Sequence, residues 1–193
     1  ITLADASQIN YESANSHAIT VRVTDSGALT YDEVFTVYVI NVNEAPVNTV
    51  PATQVVLEDT QTAIVGISIT DVDAGAGVMT TQLTVTSGVL DVTLSGAATI
   101  SAGANGSNTL TISGNVTVIS ATLASLQYTG NLNINGVAAD TLAVVTNDQG
   151  NTGLGGAQVD SDNIQIDITP VNDVPVATAN TVSTVEDNPY NFT

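Results

Sequence analysis

The sequence contains no cysteine and no tryptophan, and a single basic residue, Arg22, stands against 19 acidic ones. Without cysteine, neither a disulfide framework nor a thiolate metal site can form. Nucleic acids and anionic lipids are held by clustered Lys and Arg. The formal net charge of −18 therefore argues against both as partners and favours the binding of cations.

The residues that most enzymes need for catalysis are also scarce. His17 is the only histidine, so a histidine-built zinc site cannot form and a nucleophilic triad has one candidate base. A phosphate-binding loop needs lysine, which is absent, and no Gly-x-Ser-x-Gly elbow occurs. Paired carboxylates such as Asp71 and Asp73 could hydrolyse a glycosidic bond, but there is no tryptophan to stack against a sugar. We therefore predict that the protein is not an enzyme.

Long apolar runs are missing as well. No apolar run approaches 18 residues, and no basic stretch followed by an apolar one opens the chain. We therefore expect no membrane insertion by this segment and no export signal within it. The apolar fraction of 43 % is nevertheless that of a globular chain, so we expect a folded core.

Apolar and polar residues alternate along most of the chain, as in Ile164, Ile166 and Ile168. A period of two indicates strands with one buried face and one solvated face. Clusters of Gly, Asn and Ser separate the alternating segments and are typical of turns. Many short strands joined by turns predict an all-β protein built from immunoglobulin-like β-sandwich modules.

One stretch departs from this alternation. Ile119, Leu123 and Leu126 follow one another at spacings of four and three, which is helical periodicity. Ser120 is a suitable N-cap for a short helix there, and Tyr128 returns to a strand pattern. We expect at most one short helix, of one or two turns, in the middle of the chain.

A boundary signature occurs twice. Residues 41–46 read NVNEAP and residues 170–175 read PVNDVP, and their final prolines lie 175 − 46 = 129 residues apart. A Glu-Asp pair follows each boundary, beginning at Glu58 and at Glu186. Such constant spacing indicates tandem modules, each large enough for one core.

The positions of the two boundaries predict three parts. Residues 1–46 are interpreted as the C-terminal portion of one module, and residues 47–175 as a complete module. Residues 176–193 then form the N-terminal strand of a third module. Beginning within a strand pattern, the chain is interpreted as an excerpt of a longer array.

Acidic motifs accompany these boundaries. Glu12 precedes the first one, and residues 71–73 (DVD) and 148–150 (DQG) lie in the complete module. These motifs resemble those of cadherin repeats, which carry an acidic Leu-Asp-x-Glu, an Asp-x-Asp, an Asp-x-Gly and an Asp-x-Asn-Asp-Asn-x-Pro linker. The complete module as a whole resembles the cadherin-like tandem repeats of large bacterial, RTX-type surface adhesins.

This resemblance implies a cadherin-like fold and calcium ions bound between consecutive modules. The implied metal ligands are Glu12, Asn41, Asn43, Glu44, Glu58, Asp71, Asp73, Asp148, Asn172, Asp173 and Glu186. The sequence departs from the cadherin pattern at Asn41, which stands where the family has Asp. The loss of formal charge implies fewer ions, or weaker binding, than in a full cadherin linker.

Calcium takes 6–8 oxygen ligands, which carboxylates, amides and backbone carbonyls can all supply. The two acids of an Asp-x-Asp motif on extended backbone point the same way. We therefore expect a set of oxygen donors to converge on the first boundary. These are Glu12 from the first module, Asn43 and Glu44 from the linker, and Glu58, Asp71, Asp73 and Asp148 from the second module.

The predicted function is that of a calcium-rigidified structural and adhesion repeat at an extracellular bacterial surface. Its partners would be neighbouring modules of the same chain, with other cell-surface proteins or glycans as candidates. The alternative is a carbohydrate-binding β-sandwich, against which the aromatic content of 4 % weighs. The acids also have simpler interpretations: turn carboxylates at residues 71–73, edge-strand charges at residues 58–59, and plain surface at Asn172, Asp173 and Glu186.

Overall fold

The computed structural model describes residues 9–181, 183 and 185–187. Within them the chain forms thirteen strands and one helix, so the prediction of an all-β protein with one short helix is confirmed. In chain order these are β1 Ser16–Thr24, β2 Thr30–Tyr38, β3 Val47–Thr49, β4 Gln54–Leu57, β5 Thr62–Ala63, β6 Ser68–Thr70, β7 Met79–Thr84, β8 Gly88–Asp91, β9 Thr99–Gly103, β10 Thr109–Gly114, α1 Val116–Leu123, β11 Gln127–Gly130, β12 Gly136–Asn147 and β13 Val159–Thr169.

The largest sheet has six strands in the order β4-β13-β12-β7-β10-β9. A three-stranded sheet, β5-β11-β8, and a two-stranded one, β3-β6, accompany it. All of these pairings are antiparallel except that of β4 with β13. In this parallel pair Gln54 lies opposite Ile166 and Leu57 opposite Thr169, so β4 ends beside the end of β13.

The core lies between the two larger sheets. Alternate residues of β7 and β10 are fully buried, among them Leu83 and Leu110. They join one apolar cluster with Leu90 of β8, Tyr128 of β11 and Leu123 of the helix. Two facing sheets that share one apolar core make a β-sandwich, as the period-two alternation predicts.

The helix begins earlier than the sequence predicts. Its N-cap is Asn115, whose side-chain oxygen accepts a hydrogen bond from the Val118 amide, so the prediction of Ser120 as the cap is wrong. Ser120 lies inside the helix, and its hydroxyl exchanges two hydrogen bonds of 3.1 Å with the backbone of Ile69. The β-branched residues of the first turn give a strand-like pattern, which hides the start of the helix.

Strands β1 and β2 form a separate two-stranded sheet. On one face Ile19 lies opposite Phe35 and Val23 opposite Tyr31, and Phe35 is 51 % exposed. This apolar face is therefore open to solvent. On the other face the Arg22 guanidinium donates two hydrogen bonds of 2.7 Å to the Asp32 carboxylate.

Helix α1 has eight residues, and no helix of the described residues has the length and hydropathy needed to cross a membrane.

Candidate metal centre

The first boundary segment, residues 41–46, is fixed to one end of the sandwich. The Asn43 amide donates to the Leu154 carbonyl at 2.8 Å, and the Leu154 amide donates to the Asn41 carbonyl at 3.0 Å. Gly153 makes this approach possible, because a Cβ on it would lie 2.4 Å from the Asn43 nitrogen and its φ is +98°. The segment therefore crosses the loop between β12 and β13, where Asn147 pairs with Val159.

Asn43 and Asp148 form the buried centre of this junction. Asn43 is 4 % exposed, and its side-chain nitrogen, Nδ2, donates to an Asp148 carboxylate oxygen and to the Gly156 carbonyl. The other Asp148 oxygen accepts from the amides of Gly150 and Gln158 at 2.8 and 2.7 Å. Burial alone would raise the pKa of Asp148, but these hydrogen bonds outweigh it and hold the pKa below its usual value. Asp148 is thus an ionised anchor for the linker.

Residues 71–73 form a turn directly after β6. The Asp71 Oδ1 atom accepts from the amides of Asp73 and Ala74 at 3.1 and 2.9 Å. The Asp73 Oδ2 atom accepts from the Glu44 amide at 3.0 Å, and the Thr152 hydroxyl donates to the Asp73 carbonyl. The turn therefore contacts both the linker and the loop between β12 and β13.

Four side-chain oxygens at this junction are buried and lack a hydrogen-bond partner among the described residues. They are Asn41 Oδ1, Asn43 Oδ1, Asp71 Oδ2 and Asp73 Oδ1. The described part of the chain contains only one other such atom, His17 Nε2. An unpaired buried acceptor costs about 1–3 kcal/mol, so four at one junction are unusual in a stable fold. All four belong to residues that the sequence predicts as metal ligands.

Glu12 lies beside this group. Glu12, Asn41 and Asp73 line an open cleft of about 460 Å³ with Tyr11, Val72, Thr152 and Gly153. A neighbouring cleft of about 300 Å³ is lined by Glu12 and Glu44. We call residues 9–40, which contain β1 and β2, the hairpin module. The structure thus brings Glu12 of the hairpin module to the linker and to the turn after β6.

The junction carries an excess of negative charge. Partial removal from water, and then the charges of Glu12 and Asp73, raise the pKa of Glu44 above its usual value. Burial likewise raises the pKa of Asp71, with the neighbouring Asp73 carboxylate adding to it. Both shifts show that the charged forms are penalised here and that a cation would relieve the penalty.

The available oxygens fit calcium by type. No group of three or more His, Cys, Asp or Glu side chains in the described ranges is arranged to hold a metal ion. Two of the four unpaired oxygens, however, are carboxylate oxygens and two are amide oxygens, and calcium accepts both kinds. The residues present therefore suit a hard cation that is coordinated partly by neutral oxygens.

The predicted convergence of Glu58 on this junction is wrong. Glu58 follows β4, and its two carboxylate oxygens accept from the Val171 amide at 2.7 Å and from the Asn135 side chain at 3.0 Å. This contact lies at the Thr169 end of β13, whereas the first junction lies at the Val159 end. The eleven residues of β13 span roughly 33 Å, so Glu58 belongs to the second boundary.

The second boundary has its own acidic group. Partial removal from water, and then the charges of Asp173 and Glu58, raise the pKa of Asp59 above its usual value. Asn172, Asp173 and Glu186 are exposed, and the ligand roles of these residues and of Glu58 stay predictions. Asp59 is absent from the predicted ligands, although its place in the Glu-Asp pair is the signal that could have found it.

The Asp of the Glu-Asp pair has a positive φ at both boundaries. Asp59 has a φ of +58° and Asp187 has a φ of +62°, each in a turn. A positive φ costs energy for a residue other than glycine, so its recurrence is a structural feature that the two boundaries share.

One family model matches the chain. It is described as Protein GAMETE EXPRESSED 2 domain and covers residues 60–154, a little under half of the sequence. The matched range contains residues 71–73 and 148–150 but neither boundary segment. No curated protein matches the sequence.

Three solved structures are similar at 14–18 % sequence identity. Protocadherin gamma B2 extracellular cadherin domains 3–6 align over 86 % of this chain and 33 % of that one, with 18 % identity and a TM-score of 0.46. The protocadherin gamma B7 EC3–6 cis-dimer aligns over 86 % and 34 %, with 16 % identity and a TM-score of 0.41. Human mucin-like protocadherin EC1–2 aligns over 84 % and 72 %, with 14 % identity and a TM-score of 0.38. The chain spans about a third of the first two.

Proposed function

We propose that this chain is a structural repeat of an extracellular adhesion protein and that calcium makes its first module boundary rigid. The observation that carries the proposal is the group of four buried oxygens at that boundary that have no hydrogen-bond partner within the described ranges. They come from the linker and from the turn after β6, so one ion would tie the two segments together.

The oxygens would act as a set whose members come from different parts of the chain. Asn41 and Asn43 would offer amide oxygens from the linker, Asp71 and Asp73 carboxylates from the sandwich, and Glu12 a carboxylate from the hairpin module. Calcium supplies positive charge and up to eight coordination positions to such a set. The hydrogen bonds of Asn43 to Asp148 and Gly156 fix its amide group, so that the ligand oxygen is held in place before binding.

In the absence of a cation, like charges meet at this boundary. Partial removal from water, and then the charges of Glu12 and Asp73, raise the pKa of Glu44, so both acids repel the Glu44 carboxylate. The hydrogen bond from the Glu44 backbone amide to the Asp73 carboxylate opposes this repulsion. We expect the hairpin module to move more freely on the sandwich under these conditions, and binding to reduce that freedom.

The remaining parts of the proposal rest on the sequence. The setting of a large bacterial, RTX-type adhesin follows from the motif resemblance, as do neighbouring modules as partners. Extracellular modules of this kind bind calcium with Kd on the order of 10⁻⁴–10⁻³ M, which suits extracellular calcium concentrations. The match of residues 60–154 to the GAMETE EXPRESSED 2 domain is compatible with a structural module in a larger protein.

Isothermal titration with calcium tests the proposal. The wild-type chain is expected to bind calcium with submillimolar to millimolar affinity, and Asp73→Asn to weaken the binding by about tenfold or more. Glu33→Gln is the matched control, because it removes the same charge from β2 at a distance from the linker. Absence of calcium binding at millimolar concentration, or equal losses in both variants, would overturn the proposal.

A further inference from the structure

The sequence contains two Asn-Gly steps, at Asn105-Gly106 and Asn135-Gly136. Asparagine followed by glycine is chemically labile, because glycine has no Cβ to keep its backbone nitrogen away from the preceding side chain. The two steps share the Asn-Gly dipeptide, whose glycine sets most of the reactivity, and the fold surrounds them differently.

The fold holds the first step firmly. The Asn105 side chain accepts from the Val92 amide at 2.9 Å and donates to the Val92 carbonyl at 2.8 Å. The Gly106 amide, which would have to attack, donates to the Leu90 carbonyl at 2.9 Å. Three hydrogen bonds must therefore break before the two reacting atoms can meet.

The second step is much less restrained. Asn135 is exposed, and among the described residues its side chain has one hydrogen bond, the donation to Glu58 at 3.0 Å. Gly136 lies opposite Ile168 at the very start of β12, but it is exposed, has a φ of +129°, and has open space where a Cβ would lie. Strand β12 is irregular directly after it, since the register shifts between Gly136 and Asp140 and Ala138 has a φ of +51°.

We propose that Asn135 is a site of spontaneous deamidation and that the change weakens the contact between the loop before β12 and the second boundary. The Gly136 nitrogen forms a bond to the Asn135 side-chain carbon and loses its proton, while the bond from that carbon to Nδ2 breaks and ammonia leaves. Water then opens the resulting succinimide at one of its two carbonyl carbons and leaves aspartate or isoaspartate. The net reaction consumes one water and releases one ammonia.

The product changes the charge beside a buried acid. Glu58 is 2 % exposed, and the amide that donated to it becomes a carboxylate that cannot donate. The new charge also adds to those of Asp59 and Asp173, which already face one another. Repulsion at short range inside a partly buried group is expected to push the Asn135 loop away from Glu58.

Peptide mapping by mass spectrometry, after incubation of the whole chain at mildly alkaline pH, tests the site. In the folded chain we expect Asn135 to convert at least about tenfold faster than Asn105, because each hydrogen bond that must open adds protection. In urea the two steps should convert at rates that differ by no more than about threefold, since that protection is gone. Equal conversion of the two residues in the folded chain, or no conversion of Asn135, would overturn the proposal.

The consequence is tested with Asn135→Asp, which fixes the product charge. With a chelator present, its Tm should lie below that of the wild type by roughly 2–4 °C. Asn135→Gln is the control, since a longer side chain closes a succinimide-type ring far less readily and keeps the donor. It should stop the mass change at this position. A Tm of Asn135→Asp equal to that of the wild type would refute the weakened contact while leaving the mapping result to judge the site itself.

Discussion

The Glu44 backbone amide donates a hydrogen bond of 3.0 Å to the Asp73 carboxylate, which joins the linker to the turn after β6. The second oxygen of this carboxylate is buried and has no hydrogen-bond partner in the described part of the chain. One oxygen of Asp73 thus joins the linker to the turn, and the other is the atom that we propose binds calcium.

Asp73→Ala should abolish most of the stabilisation that calcium gives. At ten times Kd, one bound ion stabilises the folded chain by about 1.4 kcal/mol, and the variant should lose this gain. With a chelator the variant should be close to the wild type, because a repulsive charge is removed together with one hydrogen bond. Thermal unfolding with and without calcium measures both values, and an undiminished calcium effect in the variant would contradict the assignment.

Asn43→Asp should destabilise the chain strongly. The substitution replaces a donor with a second carboxylate against Asp148, which is fully buried and ionised. We expect a loss of about 3 kcal/mol in the free energy of unfolding, measured by urea titration. Asn163→Asp makes the same change at an exposed position of β13 and should cost less than about 0.5 kcal/mol.

Gly153→Ala should also be destabilising, because the added Cβ would lie 2.4 Å from the Asn43 nitrogen. The linker would have to shift away from the loop between β12 and β13, and calcium affinity should fall with stability. Gly106→Ala is the comparison, since Gly106 has a similar positive φ of +76° but open space around its Cβ position. It should cost only the backbone strain of about 1 kcal/mol, and an equal cost at both sites would argue against the close approach.

The sandwich should lose stability in acid, because protonation removes the stabilising contribution of the Asp140 carboxylate. Burial alone would raise its pKa, but hydrogen bonds donated by Thr86, Ser87 and Thr141 outweigh it and lower the pKa below the usual value. A lowered pKa in the folded state means that the contribution is complete above the unfolded-state pKa of about 3.9 and disappears as pH falls through the folded-state pKa. Asp140 also accepts a hydrogen bond from the buried Tyr128 hydroxyl at 2.9 Å, and burial, together with this bond, raises the pKa of Tyr128.

Asp140→Asn should therefore lower the free energy of unfolding by about 2 kcal/mol at pH 7. The difference from the wild type should shrink once the pH falls below about 3.9. Urea titrations of both proteins at a series of pH values measure the difference. If the difference in the free energy of unfolding stayed constant down to pH 2.5, the charge of Asp140 would not be the source of the stabilisation.

The sequence predicts what depends on short-range patterns. Period two locates strands such as β7 and β13, and the resemblance to cadherin motifs groups Asn43, Asp71 and Asp73 before any contact is known. The face of the helix is also correct, since Ile119 and Leu123 are fully buried. These features follow from local spacing, which the chain carries explicitly.

What the sequence hides depends on long-range pairing. Glu58 lies twelve residues after Pro46, so the sequence suggests that it joins the first boundary. The parallel pairing of β4 with β13 instead carries it to the opposite end of the sandwich. The motif resemblance places Asp148 at the first boundary, but its hydrogen bond with the Asn43 side chain, across 105 positions of sequence, is outside the reach of a local pattern.

A crystal structure determined with calcium, using anomalous scattering to locate the ion, would show whether calcium binds at the first boundary. We predict one or more ions within about 2.3–2.6 Å of Asp73 Oδ1, with Asp71 and at least one of Asn41 and Asn43 among the other ligands. Calcium binding at the first boundary would be contradicted if these oxygens, at saturating calcium, were bonded only to water.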